Sequence, residues 1–199
     1  MEIDLKNLPA GKQGKKPDIR HLSDIKEVVY DKEWLKTAPD LELYYMYRGL
    51  KEKNGLRYDI TIVPSLMLGE EFNKTKGHEH IGKFGEVYIV LEGQAIYLMQ
   101  RGKNVIEDIY AVKASKGDVI IIPPFYGHVT INSGKEELKM ANWMADNVKS
   151  DYSLFEKKIG ACYHYTKKGW IKNENYKNVP PLRFEEPLKS LPKDLSFLK

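Results

Sequence analysis

Residues 75–93 read TKGHEHIGKFGEVYIVLEG, and residues 117–132 read GDVIIIPPFYGHVTIN. In a strand, residues i and i+2 face the same side, so His78 and His80 are expected to point into one barrel together. Glu86 opens a second run in which Glu86, Tyr88 and Val90 share a face, and His128 precedes the strand VTIN. Three imidazoles and one carboxylate suit a divalent transition metal, with positions left for water or substrate. A lone His-x-His is usually surface noise. A nearby Glu and a later His at the head of a strand strengthen the metal reading without deciding it.

Outward from these two stretches the chain continues as short strands. In LELYYMYRG (41–49), Leu41, Leu43, Tyr45 and Tyr47 fall on one face and Glu42, Tyr44, Met46 and Arg48 on the other. Asn54-Gly55 is a strong hairpin signal, and RYDITIVPS continues beyond it with further alternation. AIYLMQRG, EDIYAVKAS and LKMANWMA are equally short, β-branched or aromatic, and closed by turn residues. This regular punctuation predicts an all-β barrel or sandwich. A short helix is predicted between Ile19 and Lys36, with Ser23 as its N-cap and Pro39 ending it. Residues 1–17 read as a loose arm.

The 199 residues, 42% of them hydrophobic, suffice for one domain with a full core. Lys+Arg number 32 against 28 Asp+Glu, a net charge of +4 with the signs interspersed. Nucleic acid is therefore not expected as a partner, whereas an anionic small substrate is welcome. Cys162 is the one cysteine, which excludes an internal disulfide and any multi-cysteine metal site. The longest apolar run, Val119 to Pro124, is far too short to cross a bilayer, and the polar, basic start carries no apolar leader. The expectation is a soluble, cytoplasmic protein with no membrane partner.

Longer patterns narrow the class. His78-x-His80-x5-Glu86-x6-Gly93 resembles the first cupin motif, and Gly117-x5-Pro123-x4-His128-x3-Asn132 resembles the second. Five residues rather than the usual three or four separate His80 from Glu86, and Phe72 and Phe125 stand where the motifs have glycine. Thr75 to His80, followed by Glu86-Val87-Tyr88, Leu91-Glu92-Gly93 and Ile122 to His128, is similar to the cupin-type glucose-6-phosphate isomerases of archaea and some bacteria. The likeness extends over about residues 19–165. It implies an all-β cupin, a double-stranded β-helix or jelly-roll barrel, with a short helical N-terminal segment. Residues 1–199 then form a single cupin domain: a core at about 40–150, an N-terminal arm at 1–38, and a wrapping C-terminal extension at 151–199.

The resemblance also implies a reaction, the interconversion of glucose 6-phosphate and fructose 6-phosphate, a step of glycolysis and gluconeogenesis. Hydrogen moves between C1 and C2 while both oxygens are held, and a bound divalent metal stabilises an enediolate's charge. One metal per subunit is implied, Fe2+ first, with Mn2+, Ni2+ or Zn2+ as substitutes, on His78, His80, Glu86 and His128. Glu86 is the base candidate for a proton-transfer route; a hydride shift needs none. Tyr88 is placed to hydrogen-bond the sugar oxygens. Tyr44, Thr61, Thr75, Gly77 and Tyr152 match substrate-side positions, the hydroxyls and the glycine amide suiting a phosphate dianion. Trp143 falls where some members carry a phosphate-contacting tyrosine, and Ser150 or Lys149 replaces a downstream histidine. Lys74 and Lys76 read as solvated, His21 as a surface residue, His164 as part of an alternating strand, and Cys162 as a buried hydrophobe. A homodimer is implied. The alternatives are another hexose-phosphate isomerase, for mannose 6-phosphate, and a non-catalytic cupin that binds sugar or metal.

Overall fold

The computed structural model describes residues 15–199; positions 1–14, most of the predicted loose arm, lie outside the described residues. In chain order the strands are β1 (Asp18–His21), β2 (Glu42–Lys53), β3 (Leu56–Val63), β4 (Met67–Leu68), β5 (Glu71–Phe72), β6 (Glu79–His80), β7 (Glu86–Glu92) and β8 (Gln94–Gly102). They continue as β9 (Ile106–Ser115), β10 (Val119–Ile122), β11 (Gly127–Ile131), β12 (Leu138–Ala145), β13 (Ser150–Asp151), β14 (Tyr163–Thr166), β15 (Gly169–Lys172) and β16 (Arg183–Glu185).

Two sheets make the body. The larger has the order β1-β2-β3-β12-β7-β10, the smaller β11-β8-β9-β16. From β9 to β12 each successive strand belongs to the opposite sheet, which is the winding of a jelly roll. Alternate side chains of both sheets meet between them: Val90 and Met140 from the larger, Tyr97 and Met99 from the smaller, all buried, while Val129 and Ile131 turn to the smaller sheet's other face. Each such side chain contributes about 1.5–3 kcal/mol relative to exposure. The outer face of the larger sheet is apolar as well. Tyr58, Ile60, Val87, Ile89 and Trp143 are covered there by Leu195 and Leu198 near the C-terminus. Among the described residues no helix is long and apolar enough to cross a membrane.

The Asn54-Gly55 hairpin forms as expected, with both residues at positive φ (53° and 70°) and Lys53 paired with Leu56. The short helical N-terminal segment forms, in pieces. Residues 18–21 pair with β2, and two single turns, Leu22–Ile25 and Lys32–Leu35, come after them around a 3-10 turn. Ser23 is not an N-cap: its amide and hydroxyl both donate to Asp40, at 2.8 and 3.0 Å. The chain reverses at His21, whose amide donates to Asp24 at 2.9 Å, and Asp31 caps the second turn through the Trp34 amide at 2.9 Å. Leu22, Ile25, Val28 and Val29 from this segment are buried in the main core.

Phe125, which replaces a motif glycine, still adopts the left-handed conformation a glycine would use, at φ 68°, with its ring half exposed. That conformation costs an L-residue roughly 1–2 kcal/mol, and glycine's extra chain entropy costs roughly 0.5–1 kcal/mol. Phe125→Gly is therefore expected to raise unfolding stability by about 0.5–1 kcal/mol in denaturant titration.

Candidate metal centre and substrate cleft

His78 and His128 are brought together by a backbone bridge: the His128 amide donates to the His78 carbonyl at 2.9 Å, and the reciprocal bond is 3.2 Å. β6 carries His80, and β7 begins at Glu86. One ligand atom from each of His78, His80, Glu86 and His128 lies within 4.8 Å of all the others. Glu86 Oε2 stands 3.4 Å from Nε2 of both His80 and His128. Metal–ligand bonds of about 2.1 Å set neighbouring ligand atoms roughly 3.0–3.4 Å apart, so the spacing suits a shared ion.

The polar accounting points the same way. His80 Nε2, Glu86 Oε2 and both ring nitrogens of His128 are buried with no hydrogen-bond partner. Groups left so are expensive unless something satisfies them. A divalent cation would satisfy three ligands at once, so the residues fit a metal. Their outer contacts fix its ligands in turn. His80 Nδ1 faces the Phe84 carbonyl at 3.2 Å, leaving Nε2 for the centre, and Asn142 donates to Glu86 Oε1 at 2.6 Å. The long spacer between His80 and Glu86 is accommodated within this arrangement, since it supplies Phe84 and turns outward at exposed Ile81. Contacts with the two imidazoles hold the Glu86 carboxyl well below its ordinary range although burial pushes the other way. Burial and the neighbouring imidazoles lower His78, so its ring stays neutral and able to ligate.

The centre opens into a cleft. Tyr44, Thr61, Thr75, Gly77, Tyr88 and Tyr152 all line it, so every substrate residue expected from the sequence reaches one place. Tyr44 accepts the Lys76 amide at 3.3 Å, and burial pushes its phenol up to about 12, so its own proton is available to a ligand. Thr75 Oγ1 accepts the Thr130 amide at 3.0 Å and likewise keeps its proton to give. Gly77 is a glycine by necessity: at φ 84°, a Cβ would stand 2.6 Å from Val129 and 2.7 Å from Phe155. Burial and the nearby Glu86 charge raise the Tyr88 phenol, which therefore acts as a donor. The Tyr152 ring lies 5.4 Å from that of His78.

Two expectations are corrected. Trp143 does not face the cleft; it packs on the outer side of the larger sheet against Tyr58, with ring centroids 5.3 Å apart. Its neighbour Met144 lines the cleft instead, and so does Ser150. Lys74 is not solvated. It is buried in an ion pair with Glu71, and His164 joins the same carboxylate at 3.2 Å, apart from the cleft. Burial pushes the Cys162 thiol up to about 12, in keeping with an inert buried hydrophobe. Sequence reasoning missed Asn142, Asp59 and Arg57. Register places them: Asn142 pairs with Asp59 on β3 and Tyr88 on β7, and Met144 pairs with Arg57.

A jelly roll whose cleft holds three histidines and a glutamate able to bind a metal belongs to the cupin class. The chain matches the family described as glucose-6-phosphate isomerase (GPI) over residues 19–181. It is 34% identical over 130 residues to the glucose-6-phosphate isomerase of Pyrococcus horikoshii, across 62% of this chain and 67% of that one. To that of Thermococcus litoralis it is 33% identical over 139 residues, 66% of this chain and 71% of the relative. Among solved structures it is similar to a cupin-like protein from Thermotoga maritima, at 21% identity and TM-score 0.40, over 54% of this chain and 75% of that one. This protein belongs to the glucose-6-phosphate isomerase family of cupins.

Proposed function

We propose that the protein interconverts glucose 6-phosphate and fructose 6-phosphate in this cleft. The sugar's C1–C2 end lies at His78, His80, Glu86 and His128, and its phosphate lies against Tyr44, Thr61, Thr75 and the Gly77 amide. The observation that carries this reading is the meeting, in one cleft, of four convergent ligand atoms and a wall of hydroxyl donors. A divalent ion held by the four ligands supplies Lewis-acid stabilisation of negative charge on the C1 and C2 oxygens.

The chain's own residues supply the rest. Tyr44 and Thr75 each accept a backbone amide and so direct their hydroxyl protons to the phosphate. Tyr88, a protonated phenol on the same strand face as Glu86, donates to a sugar oxygen and orients the reacting carbons. Asn142 fixes one Glu86 oxygen, so that the other faces the centre. Glu86 is the carboxylate that accepts a proton in a proton-transfer route. A hydride shift leaves the proton count unchanged, and solvent deuterium appearing at C2 distinguishes the two. Tyr152 closes the side of the cleft beside His78.

We assign Fe2+ as the working ion, since three imidazole nitrogens and a carboxylate oxygen suit it, and they accept Mn2+, Ni2+ and Zn2+ as well. We also assign a cytoplasmic homodimer, paired through the half-exposed Tyr45 and Tyr47 on β2. Gel filtration reads that state against the 23.0 kDa chain mass. The test of the function is a coupled assay for fructose 6-phosphate conversion with elemental analysis of the same sample. Chelation is expected to reduce turnover to background and Fe2+ to restore it. Absence of turnover with all four ions, in protein shown to hold one ion per chain, would overturn the proposal.

A further inference from the structure

Three cations line the cleft, Arg48, Arg57 and Lys76, and the hydroxyl wall explains none of them. The lysines flanking Thr75 are committed elsewhere: Lys74 to Glu71 and the Val28 carbonyl, Lys76 to Glu156 at 2.7 Å and the Asp24 carbonyl at 2.8 Å. Arg48 and Arg57 differ. Both line the cleft with Tyr44, Thr61 and Gly77. Arg48 Nε stands 3.5 Å from Asp18, an exposed carboxylate, and its Nη2 meets only the Met46 sulfur at 3.3 Å. Arg57 Nε bonds Asp59 at 3.0 Å, and its Nη2 meets the Met144 sulfur at 3.3 Å. A guanidinium has five N–H donors, and a thioether is a weak acceptor. Most of the Arg48 donor capacity is therefore left without a strong acceptor among the described residues, on a side chain that lines the cleft and is 39% exposed.

The placement of Arg48 is built by its surroundings. The pairing of β2 with β3 slips between Tyr47 and Lys51, a bulge that re-aims the side chain at its start. Gly49 makes the bulge possible at φ 59°, and its amide donates to Asp59 Oδ1 at 2.7 Å. Asp59 is buried, and its other oxygen holds Arg57. Arg57, Asp59 and the Gly49 amide thus form a chain of contacts ending beside Arg48. Met144, which offers no hydroxyl, stands on the same wall.

We propose that Arg48 is the cationic contact for the substrate's phosphate, and that Arg57 is a positioning residue that holds Asp59 and through it the bulge presenting Arg48. This rests on the isomerase reading of the cleft and names how this chain selects a phosphorylated sugar. A dianion here replaces the sulfur contact with charge-assisted hydrogen bonds, which are short and directional.

The test uses the metal-loaded full chain. For Arg48→Gln, KM for fructose 6-phosphate is expected to rise about ten- to hundredfold, with the loss falling on KM more than on kcat. The inhibition constant of inorganic phosphate should weaken in parallel while bound metal stays at the wild-type level. Arg48→Lys should recover part of the affinity. Asp59→Asn, which removes the anion that pairs with Arg57, should shift KM and phosphate inhibition in the same direction by a smaller factor, as expected of a positioning contact. Wild-type KM and wild-type phosphate inhibition in Arg48→Gln would overturn the proposal. Calorimetry with inorganic phosphate keeps the two readings separate. If the wild type binds phosphate and Arg48→Gln does not, Arg48 stands as the anion contact even where no isomerase turnover is found.

Discussion

His128→Ala is expected to lose bound metal and to lower kcat/KM by at least about 10²–10³-fold, the scale on which removal of one electrostatic stabiliser is felt. The fold should survive it. His128 joins its neighbours through the backbone, by its bridge to His78 and by the ladder of β11 with β8, and neither depends on the imidazole. The metal-free side chain carries two buried nitrogens with no partner, so its removal also deletes an unsatisfied polar group. That gain offsets part of the cavity left behind. Metal-free wild type and metal-free variant should therefore unfold within about 1–2 kcal/mol of each other. Only the wild type should gain stability when the ion is added. Elemental analysis and paired thermal melts check both statements. Stoichiometric metal in the variant would remove His128 from the ligand set.

The second large effect is on stability. Lys74→Ala is expected to destabilise the protein by about 3–5 kcal/mol, because it leaves the Glu71 carboxylate buried without its cation. Glu71 is 1% exposed and Lys74 3%. The same cluster ties distant segments together: Glu71 also accepts the Tyr30 amide at 3.0 Å and faces His164 on β14 at 3.2 Å, while Lys74 donates to the Val28 carbonyl at 2.8 Å. Lys74→Met combined with Glu71→Gln should cost less than Lys74→Ala alone, since no charge is then stranded. Denaturant titration of the three proteins measures this.

The cluster also sets the direction of acid sensitivity. Burial holds the His164 pKa below its ordinary 6.5, so the unfolded chain takes up a proton that the folded chain refuses. Stability therefore falls as pH drops below about 6.5. Glu71 lies below its ordinary 4.5 because Lys74 and His164 outweigh its burial. Its contribution is present above pH 4.5 and is lost as pH falls through the folded value. Both effects weaken the protein toward acid. His164→Gln should flatten the decline between pH 7 and 5 and leave the steeper one below it.

The four convergent residues of the metal centre are legible in the sequence because strand geometry forces them together. An i, i+2 pair shares a face, and a second strand start supplies the remaining donors within a short reach. The hairpin at Asn54-Gly55 is legible because its backbone needs residues that tolerate positive φ. Trp143 is misread for the converse reason. A shift of one residue along a strand exchanges its two faces, and only the pairing of β12 with β3 shows that Met144, not Trp143, looks inward. Lys74 is misread because a lysine is normally solvated, and one of its partners, the Val28 carbonyl, comes from a distant part of the chain. Arg48 and Asp59 escape a reading of the sequence because a bulge aims the first and a distant amide explains the second. Neither leaves a periodic trace.

The covering of the larger sheet's outer face links the far end of the chain to Glu86. The Gly85 amide donates to the Phe197 carbonyl at 2.7 Å, directly before the residue that faces the three histidines. A Cβ at position 85 would stand 2.6 Å from the Phe197 ring and 2.8 Å from the Ile122 carbonyl. A side chain at position 85 thus requires both a smaller residue at 197 and a displaced backbone at Ile122. In the evolution of this protein the tail is a silent partner of Glu86, and related chains that carry a side chain at the entry to β7 should differ in the tail as well.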